Sequence, residues 1–254
     1  MRQARAIAVN TFRETIRDRV LAVILLFAAL MIVGTLWLAS ISLDEEARVM
    51  MDFGLVAVTG FGLIVAVFIG ATLVRKEMEK RTVFVVFSKP VGRGAFIAGK
   101  FAGLCLTLAI VVAGMGLFLF ALVSVAQGEP AWWALVASGF IWLQLAVITA
   151  VTLFFSTITS ALLSSILGIG VFIAGQLSSN VLSLTRLGEN LLTEGAAWLV
   201  FIVVPNLTGA DVKAVAVGDV AADWALILAW SGYLVAYSVL ALAAAWLVFR
   251  RKEF

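Results

Sequence analysis

The chain has 254 residues, 63% of them hydrophobic and 13% charged, with a formal net charge of +3. A soluble domain carries about 25% charged residues, so the composition excludes one and predicts an all-α integral membrane protein whose basic excess belongs to membrane-flanking loops and not to nucleic-acid binding. One cysteine and no histidine exclude an intrachain disulfide, a thiolate metal cluster and the commonest catalytic base.

Residues 1–19 carry five arginines and two acids. That stretch is too long and too charged for the leading part of a signal peptide, and no cleavable leader is expected. Ala4, Ile7, Ala8, Thr11, Phe12, Thr15 and Ile16 fall on one helical face, with Arg2, Arg13 and Arg17 opposite. The pattern predicts an amphipathic helix lying on the inner membrane surface. Residues 20–43 hold no charge and exceed the roughly 20 residues that cross a bilayer core, giving span one. Asp44, Glu45, Glu46, Arg48 and Asp52 make a net acidic loop, and span two follows over 53–74.

Residues 75–100 form the long interior cluster of charge, with seven Lys/Arg and two acids, Glu77 and Glu79. Arg75 with Glu79, and Glu77 with Arg81, have the spacing of pairs on a helix surface. Val83, Phe84, Val85, Val86 and Phe87 are then apolar on every side, which a merely solvated loop does not need. Ser88-Lys89-Pro90 stops the helix. Gly92 and Gly94 loosen the turn, and a second helix starting near Ala95 enters the membrane at Lys100. The reading is a helical hairpin projecting into the cytoplasm. GAFIAGK at 94–100 also matches most of a phosphate-binding loop. Phe101 stands where the magnesium-holding Ser or Thr belongs, and no strand precedes it, so the match is a coincidence.

Span three ends near Gln127, and Gly128-Glu129-Pro130 makes a short outer turn. Residues 130–185 hold no charge, far too long for one span. The polar run Ser156, Thr157, Thr159, Ser160 marks an inner turn between span four (132–155) and span five (161–183). Ser156, Ser160, Ser164 and Gly168 recur every four residues, a spacing that lets helices approach closely in lipid. Charge returns over 184–223. The apolar run 195–209 inside it is broken by Pro205 and is too short to span, which suits a re-entrant segment. Span six covers 224–249, followed by Arg250, Arg251 and Lys252.

Fifteen of the 18 Lys/Arg fall in 1–19, 75–100 and 250–252. Six spans put all of them on one side, which places both termini in the cytoplasm. Trp37, Trp132, Trp133, Trp224 and Trp246 lie near span ends, as an interfacial belt does. No Asp, Glu, Lys or Arg falls within a span interior, which argues against an ion-coupled carrier. Gln144 and Gln176 are the polar groups most costly to turn toward lipid. They line a substrate pathway or bond between helices.

The segment RKEMEKRTVFVVFSKPVGRGAFIAGKFAG at 75–103 resembles the region after the second span in permease subunits of type-2 ATP-binding-cassette transporters. There an acidic helix precedes a Thr, an apolar stretch, a Lys-Pro turn, an Arg and a Gly-Lys opening the third span. The matching positions are Glu77 and Glu79, Thr82, 83–87, Ser88-Lys89-Pro90, Arg93, and Gly99-Lys100. Arg81 stands where many relatives have Gly. The Lys-Pro form is most similar to the branch containing the nitrous-oxide-reductase maturation permease. The resemblance implies one permease domain over 1–254 with six transmembrane helices, an interfacial helix at 1–19, a coupling hairpin at 75–100 and an extracytoplasmic re-entrant region at 184–223. It implies an exporter half, working as a pair with a second copy or a related permease in the inner membrane of a bacterium or archaeon. Two separate cytoplasmic ATPase subunits would hold ATP and Mg, while this chain is no enzyme and holds no cofactor. Glu77, Glu79, Arg81, Thr82, Phe84, Phe87, Lys89, Pro90 and Arg93 would make the ATPase contact. A membrane scaffold or channel-like subunit without an ATPase is the alternative.

Overall fold

The computed structural model describes residues 2–38, 46–79, 93–185, 204–209, 212–218 and 221–251. Among them every regular element is an α-helix: α1 (Arg2–Leu38), α2 (Glu46–Glu79), α3 (Arg93–Gln127), α4 (Trp132–Ile158), α5 (Ala161–Thr185), α6 (Val212–Val217) and α7 (Trp224–Arg251). Five carry stretches long and apolar enough to cross a membrane: Ala47–Ala71, Gly94–Gln127, Trp132–Ile158, Ala161–Ser178 and Trp224–Arg250. α1 adds a shorter apolar stretch, Ala22–Gly34, within the region expected for span one.

The turns fall where the sequence signals place them. Gly128 closes α3 with a positive φ of 73°, its N–H donating to the Ser124 carbonyl at 3.0 Å, as a left-handed cap does. The Ser124 hydroxyl accepts from the Ala131 N–H at 3.0 Å, so the Gly-Glu-Pro turn is tied at both ends. Between α4 and α5 only Thr159 and Ser160 are non-helical. Thr159 Oγ1 lies 2.8 Å from Ser164 Oγ. Asp223 caps α7, its Oδ1 accepting from the N–H groups of Ala225 at 3.0 Å and Leu226 at 3.2 Å, which satisfies two donors a helix start leaves open.

α4 is the hub. It packs against α2, α3, α5, α6 and α7, and 72% of its apolar stretch is buried, against 28% for α5 and 22% for α7. Around it Phe27, Leu55, Met115, Leu119, Ile141, Leu145 and Ile148 form the main core. Phe27 meets Phe61 and Phe118 edge to face, with centroids 6.1 and 6.2 Å apart. The small-residue stripe lies in this packing: Ser156 and Ser164 are buried, and Gly168 presses against Thr152.

One expectation needs correcting. Residues 1–19 are not a helix of their own, because α1 runs unbroken from Arg2 to Leu38. Nothing between Arg17 and Val20 is Gly or Pro, so the chain has no breaker there. The amphipathic face is real but faces protein. Thr11 and Thr15 are buried, while Arg5 and Arg13 are exposed. The covering surface is α3, where a Cβ at Gly103 would stand 2.7 Å from both the Ala8 carbonyl oxygen and Thr11 Cβ. A glycine is what lets these two helices touch.

Candidate functional site

The described residues on either side of the expected hairpin are helical. α2 continues through Glu79 and α3 begins at Arg93, so Glu77, Glu79 and Arg93 sit on helix ends. Arg81, Thr82, Phe84, Phe87, Lys89 and Pro90 lie outside the described residues.

The α3 leg is firmly seated. Phe96, Ile97, Leu104, Leu153, Ala245 and Phe249 form a second apolar cluster, with Ile7 packed against it. Ile69 of α2 packs there as well, so five helices, α1, α2, α3, α4 and α7, meet at the start of α3. Lys100 is buried here at 2% exposure. Its Nζ lies 5.8 Å from the Phe96 ring centroid, a distance at which the ring face attracts a cation.

Polar groups within the bundle divide into two kinds. Thr59, Thr107, Ser138 and Thr149 each donate to the carbonyl one helical turn back, at 2.7–3.0 Å. They satisfy themselves and link nothing. Gln144 differs. Its Nε2 donates to the Leu207 carbonyl, 63 residues along the chain. Leu207 belongs to a non-helical strap, 204–209, in the second half of the region expected to be re-entrant. The Leu207 N–H donates to the Gly175 carbonyl at 3.2 Å, and the Asn206 N–H donates to the Tyr233 hydroxyl at 3.1 Å. Asn206 Oδ1 accepts from the Thr208 N–H at 3.0 Å, the local turn that Asn favours. Three helices, α4, α5 and α7, thus hold consecutive strap residues.

Gln144 stands roughly 18 Å along α4 from Trp132, at 1.5 Å per residue. The strap therefore meets α4 near its midpoint, and a helix that spans a core of about 30 Å has its midpoint far from either surface. Irregular backbone at that depth is tolerated only where protein or a cavity surrounds it, and Pro205 and Leu207 are buried. A cavity of about 50 Å³ adjoins it, lined by residues that include Gln144, Gln176, Leu207, Thr208 and Lys213. The two glutamines singled out by polarity therefore share one cavity. Gln144 Oε1 and Gln176 Nε2 are buried without a hydrogen-bond partner. Sequence reasoning missed Tyr233, Gly175 and the Leu207 carbonyl. Pro205-Asn206 within an apolar run was the available signal. Among the described residues no group of three Cys, Asp or Glu is placed to hold a metal.

Five helices long and apolar enough to cross a membrane, with a non-helical strap tied to α4, α5 and α7, are the mark of a multi-pass membrane protein. The chain belongs to the ABC-2 transporter family: residues 5–254 match the model described as ABC-2 family transporter protein. It is thus a membrane subunit of an ATP-binding-cassette transporter, a family that associates with ATPase subunits and is typically not itself enzymatic. No curated protein matches the chain.

Proposed function

We propose that this chain is one half of the translocation pathway of an ATP-driven exporter, paired with a second permease and driven by two cytoplasmic ATPase subunits that dock on the 77–93 hairpin. The observation that carries the reading is the family match over residues 5–254, which covers both hairpin legs. The proposed topology has six spans, with α1 supplying the first and both termini cytoplasmic, from the segregation of Lys/Arg. Export, an inner-membrane location and kinship to the Lys-Pro branch rest on the resemblance of 75–103. The apolar tip at 83–87 supplies anchors, and Glu77, Glu79, Arg81, Lys89 and Arg93 supply a charged rim that steers docking.

The test is co-purification of the ATPase with the permease carrying Phe84→Ala and Phe87→Ala. Loss of buried aromatic anchors should weaken association by about 2 kcal/mol or more. A doubly substituted permease that still recruits its ATPase with wild-type affinity would make the hairpin a solvated loop and sink the reading. A complex that never contains an ATPase, even with the natural sequence, would favour the scaffold alternative.

A further inference from the structure

The cavity at Gln144 and Gln176 has an uncommon composition for the middle of a membrane bundle. Gln144 is 5% exposed, and the orientation of its amide is fixed by the bond from Nε2 to the Leu207 carbonyl. Its Oε1 must then be the acceptor without a partner. Gln176 presents the converse, a buried Nε2 donor without one. A buried polar atom left unsatisfied is costly, and here an acceptor and a donor belong to two residues that line the same space. A water needs about 10–15 Å³ of such space and two to four polar partners. The cavity, at about 50 Å³, has room for a few waters or one small solute. Lys213 also lines it but already has an interaction of its own, so the atoms wanting partners are two neutral amides.

We propose that this cavity is a binding site for a small neutral group that both donates and accepts hydrogen bonds, a water cluster or the hydroxyl or amide of a solute, bridging Gln144 Oε1 and Gln176 Nε2 behind the 204–209 strap. An anion finds one donor and the Lys213 charge, already engaged elsewhere, against a repelling acceptor at Gln144. A cation finds one acceptor opposed by a donor and by Lys213. The site needs no ATPase partner, so its fate and that of the proposed function are read by separate experiments.

Alkylation of introduced thiols tests it on the full chain in lipid nanodiscs. Cys105→Ala first removes the only native thiol. Ala137 is 1% exposed and lines the cavity, whereas Ala134, one turn nearer the end of α4, is 0% exposed and is not among the lining residues. Iodoacetamide and iodoacetate, matched in shape and differing in charge, serve as probes. Iodoacetamide should modify Ala137→Cys at least about tenfold faster than Ala134→Cys, because only a hydrated site forms the thiolate that reacts. Its advantage over iodoacetate should exceed that at Gly128→Cys in the open turn. Val212→Cys, a lining position that leaves both glutamines in place, provides the same readout if Ala137→Cys lowers the melting temperature. Slowing by added acetamide assigns the site to a solute; no slowing assigns it to water. Equal rates at Ala137→Cys and Ala134→Cys, or a preference for iodoacetate, overturn the proposal.

Discussion

The ring of Phe96 stacks on that of Phe249, with centroids 6.0 Å apart and planes inclined by 14°. The first turn of α3 is thereby joined to the last turn of α7, two segments far apart in sequence. Both rings are essentially fully buried. Phe249→Ala removes one face of this contact. Lipid tails are as apolar as the ring, so little is lost by transfer, and the cavity left behind costs about 2 kcal/mol. Thermal unfolding of the purified permease should show the loss, and Phe249→Leu should recover much of it.

A second prediction concerns the strap. Gly209 lies directly against the Trp230 indole, so that any added Cβ would overlap the ring. The indole is fixed in turn by Tyr233, at 5.1 Å edge to face, and Tyr233 is the acceptor for the Asn206 N–H. Gly209→Ala should therefore expose the strap to limited proteolysis and lower the melting temperature. Gly209→Ala with Trp230→Ala should do less harm than the two separate effects added together, since contacting residues couple by about 0.5–3 kcal/mol. Strict additivity would show that the strap does not rest on the indole.

Topology gives the third. In a Cys105→Ala background, Gly128→Cys should react with an impermeant thiol reagent applied to intact cells, and Glu253→Cys should react only after permeabilisation. Gly128 closes α3, and the residues around 253 belong to the basic tail that the charge rule retains inside. Labelling of Glu253→Cys in intact cells would discard the six-span arrangement.

The helix ends were legible because particular residues mark them. Gly128 and Pro130 separate α3 from α4, Ser160 separates α4 from α5, and Asp223 starts α7, each close to the boundary read from the chain. The face of α1 was legible too, since Thr11 and Thr15 fall on the predicted side. What covers that face was not. Periodicity records that a face is shielded from water but not whether lipid or another helix shields it, and Gly103 lies some ninety residues away. The polarity of Gln144 and Gln176 marked them both as costly in lipid. Their shared cavity depends on the return of residues 204–209 to mid-depth, which a short apolar run broken by proline suggests but does not place.

The last prediction addresses how force would pass from the hairpin into the bundle. α3 runs without interruption from Arg93 to Gln127, and its first turns are clamped by α1, α2, α4 and α7 through Phe96, Ile97 and Leu104. A displacement at Arg93 therefore moves a helix, not a linker. Ala98 is exposed within this leg, so its side chain can be changed without disturbing the cluster. Ala98→Pro removes the N–H bond to the carbonyl four residues back and kinks the helix, at about 3 kcal/mol. Ala98→Gln keeps both helix and exposure. The proline variant should still co-purify with the ATPase, since the hairpin tip is intact. On this reading ATP with vanadate should change thiol reactivity at Gly128→Cys in the parent, and the proline variant should lose that change. The glutamine variant should retain that change. If the proline variant transmits the signal as well as the parent does, the stiffness of α3 is irrelevant to coupling, and the force must travel through α2.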